Sequence, residues 1–194
     1  ELHLTGKFFP SNMRSPATNI SNPPLPPRIG VRIMDYPLYY IIKNQLPQPD
    51  FEGILKVIAA QKDYIVNIRD TKNEKSRKIE LILRPGLEEL GFIHSVTNRK
   101  VQLFQQGCLF EVDYFNPSTG VAIEIERCNL YTKVWLALLK MLEAEKIRHG
   151  IIMVPSVRVF RNKGESSFEL TYKRLRDSTH NLRVHLSSLI VIGY

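Results

Sequence analysis

Cysteine is scarce in this chain: Cys108 and Cys128 are the only two among 194 residues. Two thiols make no disulfide framework and are too few for a cysteine-built zinc site. The expectation is two reduced thiols in a cytoplasmic protein. Long apolar runs are lacking too. The longest, "VWLALL" at 134–139, is far too short to span a bilayer. No stretch near the start has a signal peptide's charged, apolar and small-residue order. There is no Walker loop, dinucleotide fingerprint or G-x-S-x-G elbow, so no nucleotide cofactor is expected. His3, His94, His149, His180 and His185 are scattered without ligand spacing, and surface or capping roles are expected for each.

What the chain has in excess is positive charge. Lysine and arginine number 27 against 19 acidic residues, for a net charge of +8 and an isoelectric point near 9.5. Such a surface attracts polyanions, nucleic acid first and acidic membrane second. A hydrophobic fraction of 43% over this length suffices for one sizeable core.

The first fifty residues differ from the rest. "SPATNISNPPLPPRIG" (15–30) carries five prolines and forms neither helix nor inner strand. Residues 1–50 therefore read as an extended Pro-rich arm with a lead-in, and 51–194 as a single domain. Within it, 49–66 has helical spacing behind a plausible Asp50 cap. Residues 69–78, "RDTKNEKSRK", read as a wet charged loop. Ile79, Leu83, Leu87 and Leu90 mark a further helix capped by Gly91, which Pro85-Gly86 should kink or split. "VQLFQQGCLFEVDYF" (101–115) and "VAIEIER" (121–127) are strand-like around the turn signal "NPSTG". Residues 131–150 form a helix that is apolar around most of its circumference, with one narrow polar stripe of Lys133, Lys140 and Glu143. Gly150 ends it and "IIMVP" is a buried strand. "SFELTYKRLRDSTHNL" (167–182) is a basic amphipathic helix, and "SSLIVIGY" (187–194) a last strand. The sum is an α/β core with a mixed central sheet of about five strands flanked by helices.

Carboxylates stand among the most apolar of these strands. Glu124 and Glu126 alternate with Val121, Ile123 and Ile125, so they share one strand face with Cα atoms about 6.6 Å apart. If the turn occupies 117–120, Asn116 pairs with Val121 and Asp113 lands opposite Glu124. Three carboxylates within about 5–7 Å repel strongly unless a cation sits between them. Hard oxygen ligands favour Mg²⁺, with Mn²⁺ as a substitute, over zinc. Such an ion makes hydroxide from water and neutralises charge at a phosphoryl group. The other reading of alternating glutamates is a solvated sheet face. Glu111, near Asp113, is then an outer neighbour of the site or simply exposed.

Asp113, ten intervening residues, then Glu124-Ile-Glu126, a buried helix and "GIIMVP" resemble the PD-(D/E)XK nuclease core. With glutamate at 126 in place of the usual lysine, and a terminal "LIVIGY", the chain looks most like type II restriction endonucleases of the BamHI/BglII branch. The likeness spans about residues 78–155 plus the last strand, 187–194. It implies a restriction-endonuclease-like fold, metal binding by Asp113 and Glu124, and Glu126 orienting or deprotonating the attacking water. It also implies a further glutamate from the preceding helix, Glu80 first and Glu88 second.

The expected activity is Mg²⁺-dependent, sequence-specific cleavage of double-stranded DNA by a homodimer, since a two-fold site is cut by two identical centres. The alternatives are a structure-selective nuclease, such as a junction resolvase or repair enzyme, and a non-catalytic basic DNA-binding module. Candidate DNA contacts are Arg127, Lys133, Arg158, Arg161, Lys163, Lys173, Arg174 and Arg176.

Overall fold

A computed structural model describes residues 36–44, 46–47, 50–127, 130–160, 163–179 and 185–194; the Pro-rich stretch 15–30, Arg161 and Cys128 lie outside them. Chain order is β1 (Leu38–Lys43), α1 (Asp50–Ala60), α2 (Lys62–Asp70), α3 (Ser76–Glu89), β2 (Ile93–Val96), β3 (Val112–Asn116) and β4 (Val121–Ile125). Then follow α4 (Leu130–Glu143), β5 (His149–Val154), β6 (Arg158–Phe160), β7 (Lys163–Glu165), α5 (Ser167–Thr179) and β8 (Ser188–Gly193). The main sheet has six strands in the order β1-β8-β5-β4-β3-β2, and β6–β7 form a separate hairpin. Strands β4, β5 and β8 run parallel, while β1, β3 and β2 join through antiparallel pairs.

Both faces of the sheet are covered. Ile54, Ile58, Ile65, Ile79, Leu83 and Leu87 of α1–α3 pack on Val121, Ile123, Ile125, Ile151 and Ile190. Val134, Leu138 and Met141 of α4, with Phe168 and Leu175 of α5, cover Ala122, Ile152, Val154 and Val191 on the other side. This three-layer arrangement explains why "GIIMV" and "SLIVIG" are unbroken apolar runs: a parallel strand with two covered faces has no polar side.

The mixed α/β class is as expected, but the sheet gains a sixth strand. Edge strands β1 and β2 are the two unforeseen members. β1 falls within the 1–50 lead-in, and β2 is four residues long with Ser95 at φ +57°. The region 49–66 divides at Gln61 into α1 and α2, and α3 starts at Ser76, inside the stretch read as loop. Pro85 does not split α3. Ile79, Leu83 and Leu87, all fully buried, anchor the helix on both sides of the missing N–H. Gly91 does cap it: at φ +85° its N–H bonds the Glu88 carbonyl at 2.9 Å, and Phe92 N–H bonds that of Leu87 at 3.0 Å.

Gly150, read as a helix stop, lies within β5. A Cβ there would come 2.6 Å from Met141 Sδ, so glycine at this position lets α4 lie close on the sheet. The helix ends earlier, at Glu143, and Arg148 and His149 N–H then bond the Gly120 carbonyl at 2.9 and 3.1 Å. Residues 101–111 are irregular rather than strand. Among the described residues, no helix is long and apolar enough to cross a membrane.

Candidate active site

The turn 117–120 sets the register. Asn116 Oδ1 accepts the N–H groups of Ser118 and Thr119 at 3.0 and 3.3 Å, and Gly120 N–H closes onto the Asn116 carbonyl at 2.8 Å. Asn116 pairs with Val121, Phe115 with Ala122 and Tyr114 with Ile123. One step further Asp113 stands opposite Glu124, the arrangement expected for a four-residue turn. The backbone ladder stops there. Asp113 Oδ2, not a main-chain carbonyl, accepts the Ile125 N–H at 2.7 Å, which ties the side chain to the end of β4.

Glu124 is 1% exposed. A solvated sheet face would leave it wet; instead it is sealed beneath α4. Its Oε2 accepts a hydrogen bond from Lys140 Nζ, which also donates to the Glu111 carbonyl at 2.8 Å. Its Oε1 is buried with no hydrogen-bond partner among the described residues. Burial, with Asp113 second, pushes the Glu124 carboxyl well above the ordinary range despite the Lys140 ammonium. Burial also lifts Asp113 to about 6, helped by the charge of Glu80 and opposed by the Ile125 N–H and Lys140. Glu126, partly exposed, rises to about 7 through burial and then Asp113, with Lys133 and Lys140 pulling it down. The three carboxylates and Lys140 therefore form one electrostatic unit.

Glu80 belongs at its margin. It is 4% exposed, and its Oε2 meets Arg77 Nη1 at 2.9 Å and His94 Nε2 at 3.2 Å. Its charge is felt by both Asp113 and Glu126. Burial raises the Glu80 carboxyl and lowers the His94 imidazole. Glu88 sits elsewhere, exposed and paired with Arg84 at 2.6 Å. Glu111 is exposed and accepts the Ser95 hydroxyl at 2.6 Å.

Lys140, Arg77 and His94 are the neighbours that sequence reasoning missed. The signal for Lys140 was present: Lys133 and Lys140 are seven apart, hence on one face of an otherwise apolar helix. His94, expected in a surface or capping role, is 5% exposed against the Tyr114 ring, and no sequence spacing announces that.

The proposed DNA contacts scatter. Arg127 turns inward. Its guanidinium donates to the carbonyls of Ile68 at 3.1 Å, Arg69 at 3.2 Å, Thr71 and Glu74, pinning the α2–α3 connection. Lys133 is exposed near Glu126. Arg174 lies over the Tyr131 ring at 5.2 Å, and Arg176 over Tyr172 at 5.3 Å while pairing with Asp177 at 2.7 Å. Lys173 is exposed. The side chains of Arg158 and Lys163 lie outside the described residues, although their strands follow the C-terminal end of β5.

Among the described residues no three histidine, cysteine, aspartate or glutamate side chains are gathered to hold a metal ion. In donor chemistry the set nonetheless fits a hard divalent cation. All its members are carboxylates, one oxygen is orphaned in the core, and the charge now balancing Glu124 is a single ammonium.

A family model described as "Putative halobacteria restriction endonuclease" matches residues 34–194. The chain belongs to this family. The match takes in every strand of the main sheet, β1 included, along with Asp113, Glu124, Glu126 and Lys140. No curated protein and no solved structure matches the chain.

Proposed function

We propose that the protein is a Mg²⁺-dependent endonuclease of the PD-(D/E)XK type, nearest the E-x-E restriction enzymes, that cuts double-stranded DNA at a specific sequence. The observation that carries this reading is the sealed Glu124 with one orphaned oxygen, set in register with Asp113 and beside Glu126, in a restriction-endonuclease family. A non-catalytic DNA-binding module has no use for a carboxylate buried this way, since burying an ion pair is costly and leaving one of its oxygens without a partner costs more.

Asp113 and Glu124 are the residues that would hold Mg²⁺; when bound, the ion supplies charge neutralisation at the phosphoryl group and a more acidic water. Lys140 fixes the Glu124 carboxylate through Oε2 and leaves Oε1 for that role. Glu126, the more open of the two strand glutamates, is placed to orient the attacking water and accept its proton. Glu80, steadied by Arg77 and His94, adds negative charge at the edge of the site. Exposed Lys133 and Lys173 meet phosphates, and Arg174 lies close to them. A two-fold DNA site calls for a homodimer, each copy cutting one strand.

The test is incubation of plasmid DNA with the purified chain in Mg²⁺ and in excess chelator, followed by sequencing of the ends. Discrete, metal-dependent ends are expected. Smearing or cleavage of branched DNA alone would move the assignment to a structure-selective nuclease, and equal cutting in chelator would refute the metal site.

A further inference from the structure

We infer that the connection between β2 and β3, residues 97–111, is a base-reading loop, and that it contacts an A·T pair through Gln105, Gln106 and Leu109. The inference rests on the DNA-cleaving reading of the site.

The loop has no regular secondary structure, yet its base is clamped. Asn98 Nδ2 donates to the carbonyls of Phe104 and Gln105 at 3.1 and 3.0 Å, while its Oδ1 accepts the N–H groups of Leu103 and Phe104 at 3.1 and 2.8 Å. Leu103 and Phe104 are buried, and Phe104 meets Phe110 edge-on at 5.5 Å. Lys100 Nζ bonds the His94 carbonyl at 2.7 Å. Cys108 N–H closes a turn onto Gln105 at 3.1 Å. The tip beyond this clamp is bare: Gln105 and Gln106 are exposed, and Leu109 is 95% exposed.

A leucine held almost wholly in water on a well-fastened loop gains nothing from folding. In a DNA groove it gains a partner, because the thymine methyl is the apolar mark on a base edge. Glutamine pairs bidentately with N6 and N7 of adenine, so the same base pair serves both side chains. Charge agrees with this use. Residues 97–110 contain no acid and carry Arg99 and Lys100, which bring positive charge to the phosphates. The acids nearby are Glu111 at the end of the loop and Glu143 and Glu145 across a groove from Gln105. Position agrees as well. The loop returns through Glu111, whose carbonyl takes Lys140, and enters β3 at Val112, one residue before Asp113.

The experiment selects duplexes from a random pool with the full chain in Ca²⁺, which supports binding in place of Mg²⁺, and sequences what is retained. The unmodified chain is expected to enrich a motif containing an A·T pair. Gln105→Ala, Gln106→Ala or Leu109→Ala should relax that motif at one position, by roughly 5- to 150-fold in discrimination. Arg99→Ala should instead weaken all sequences alike and lower the salt slope by about one. The substituted side chains are exposed, so unchanged thermal unfolding is expected and verifies the fold. An unaltered motif in all three tip variants overturns the inference, as does a Leu109→Ala change confined to oligomeric state. Selective binding by a chain that never cuts in Mg²⁺ would keep the loop and discard the nuclease; discrete cutting with tip variants of unchanged preference would do the reverse.

Discussion

Replacing Lys140 by Met tests the site at its centre, because it removes the ammonium while keeping much of the apolar stem. Glu124 would then have two buried oxygens without a partner. An ion pair at hydrogen-bond contact is worth about 5–6 kcal/mol at an effective dielectric near 20. Relief from burying the ammonium offsets part of that, so the expected loss is about 3–5 kcal/mol. At about 2–4 °C per kcal/mol for a chain of this length, the midpoint should fall by roughly 6–20 °C at neutral pH in chelator.

The loss must depend on pH. Without Lys140 the Glu124 carboxyl rises further, so the folded state holds a proton that the unfolded chain releases. The penalty therefore grows as pH rises and shrinks as Glu124 is protonated. Two companions decide the cause. Glu124→Gln in the Lys140→Met background should recover most of the stability, since no buried charge remains. Added Mg²⁺ or Ca²⁺ should raise the midpoint of Lys140→Met more than that of the parent, because the cation replaces the missing charge. The assay is thermal unfolding across pH 5–8 with and without divalent ions. A loss below about 1 kcal/mol that is flat with pH would show that the pair does not hold the site together.

Three further outcomes are expected. Asp113→Asn and Glu124→Gln should fold, bind DNA at least as well as the parent, and lose about a thousandfold or more in cleavage, equivalent to some 4 kcal/mol of barrier; full cleavage by either would sink the site. In chelator, Asp113, whose folded carboxyl is raised to about 6 from an ordinary 3.8, should favour the folded state most below about pH 4 and cost roughly 3 kcal/mol by pH 7. Asp113→Asn should therefore gain on the parent as pH rises through that window, and a flat difference in midpoint would contradict the burial argument. Pro85→Ala should stabilise α3 by at least about 1 kcal/mol in urea unfolding, because an interior proline removes a helix bond worth more than that; a loss would show that the helix needs its proline.

What was legible in the sequence, and what was not, divides along physical lines. The register of Asp113 against Glu124 could be read from "NPSTG" because turn length fixes pairing locally. The covered faces of β4, β5 and β8 were legible because their apolar runs are continuous. β2 was not, being four residues long with a left-handed Ser95 in the middle. Leu103, Phe104 and Phe110 imitate a strand, but the backbone groups of Leu103 and Phe104 are satisfied by Asn98, a side-chain solution that periodicity cannot show. Arg127 was read as a DNA contact from its place beside Glu126. Charge says nothing of direction, and four inward carbonyls claim it.

The concentration of carboxylates in a chain of net charge +8 acquires a reason from the position of Lys140. Asp113, Glu124 and Glu126 face one buried ammonium, and Glu80 is largely balanced by Arg77. Two formal negative charges remain uncompensated at the end of β3 and β4, the charge of one divalent cation. A second buried lysine would have halved that excess and made the protein more stable, but would have weakened the driving force for the metal. Without the metal these charges also repel a phosphate brought in by the basic surface. Metal and DNA should therefore bind cooperatively, each easing the entry of the other. On the proposed metal-binding reading, the instability of the metal-free carboxylates and the affinity for the cation would be one property, measured in two states.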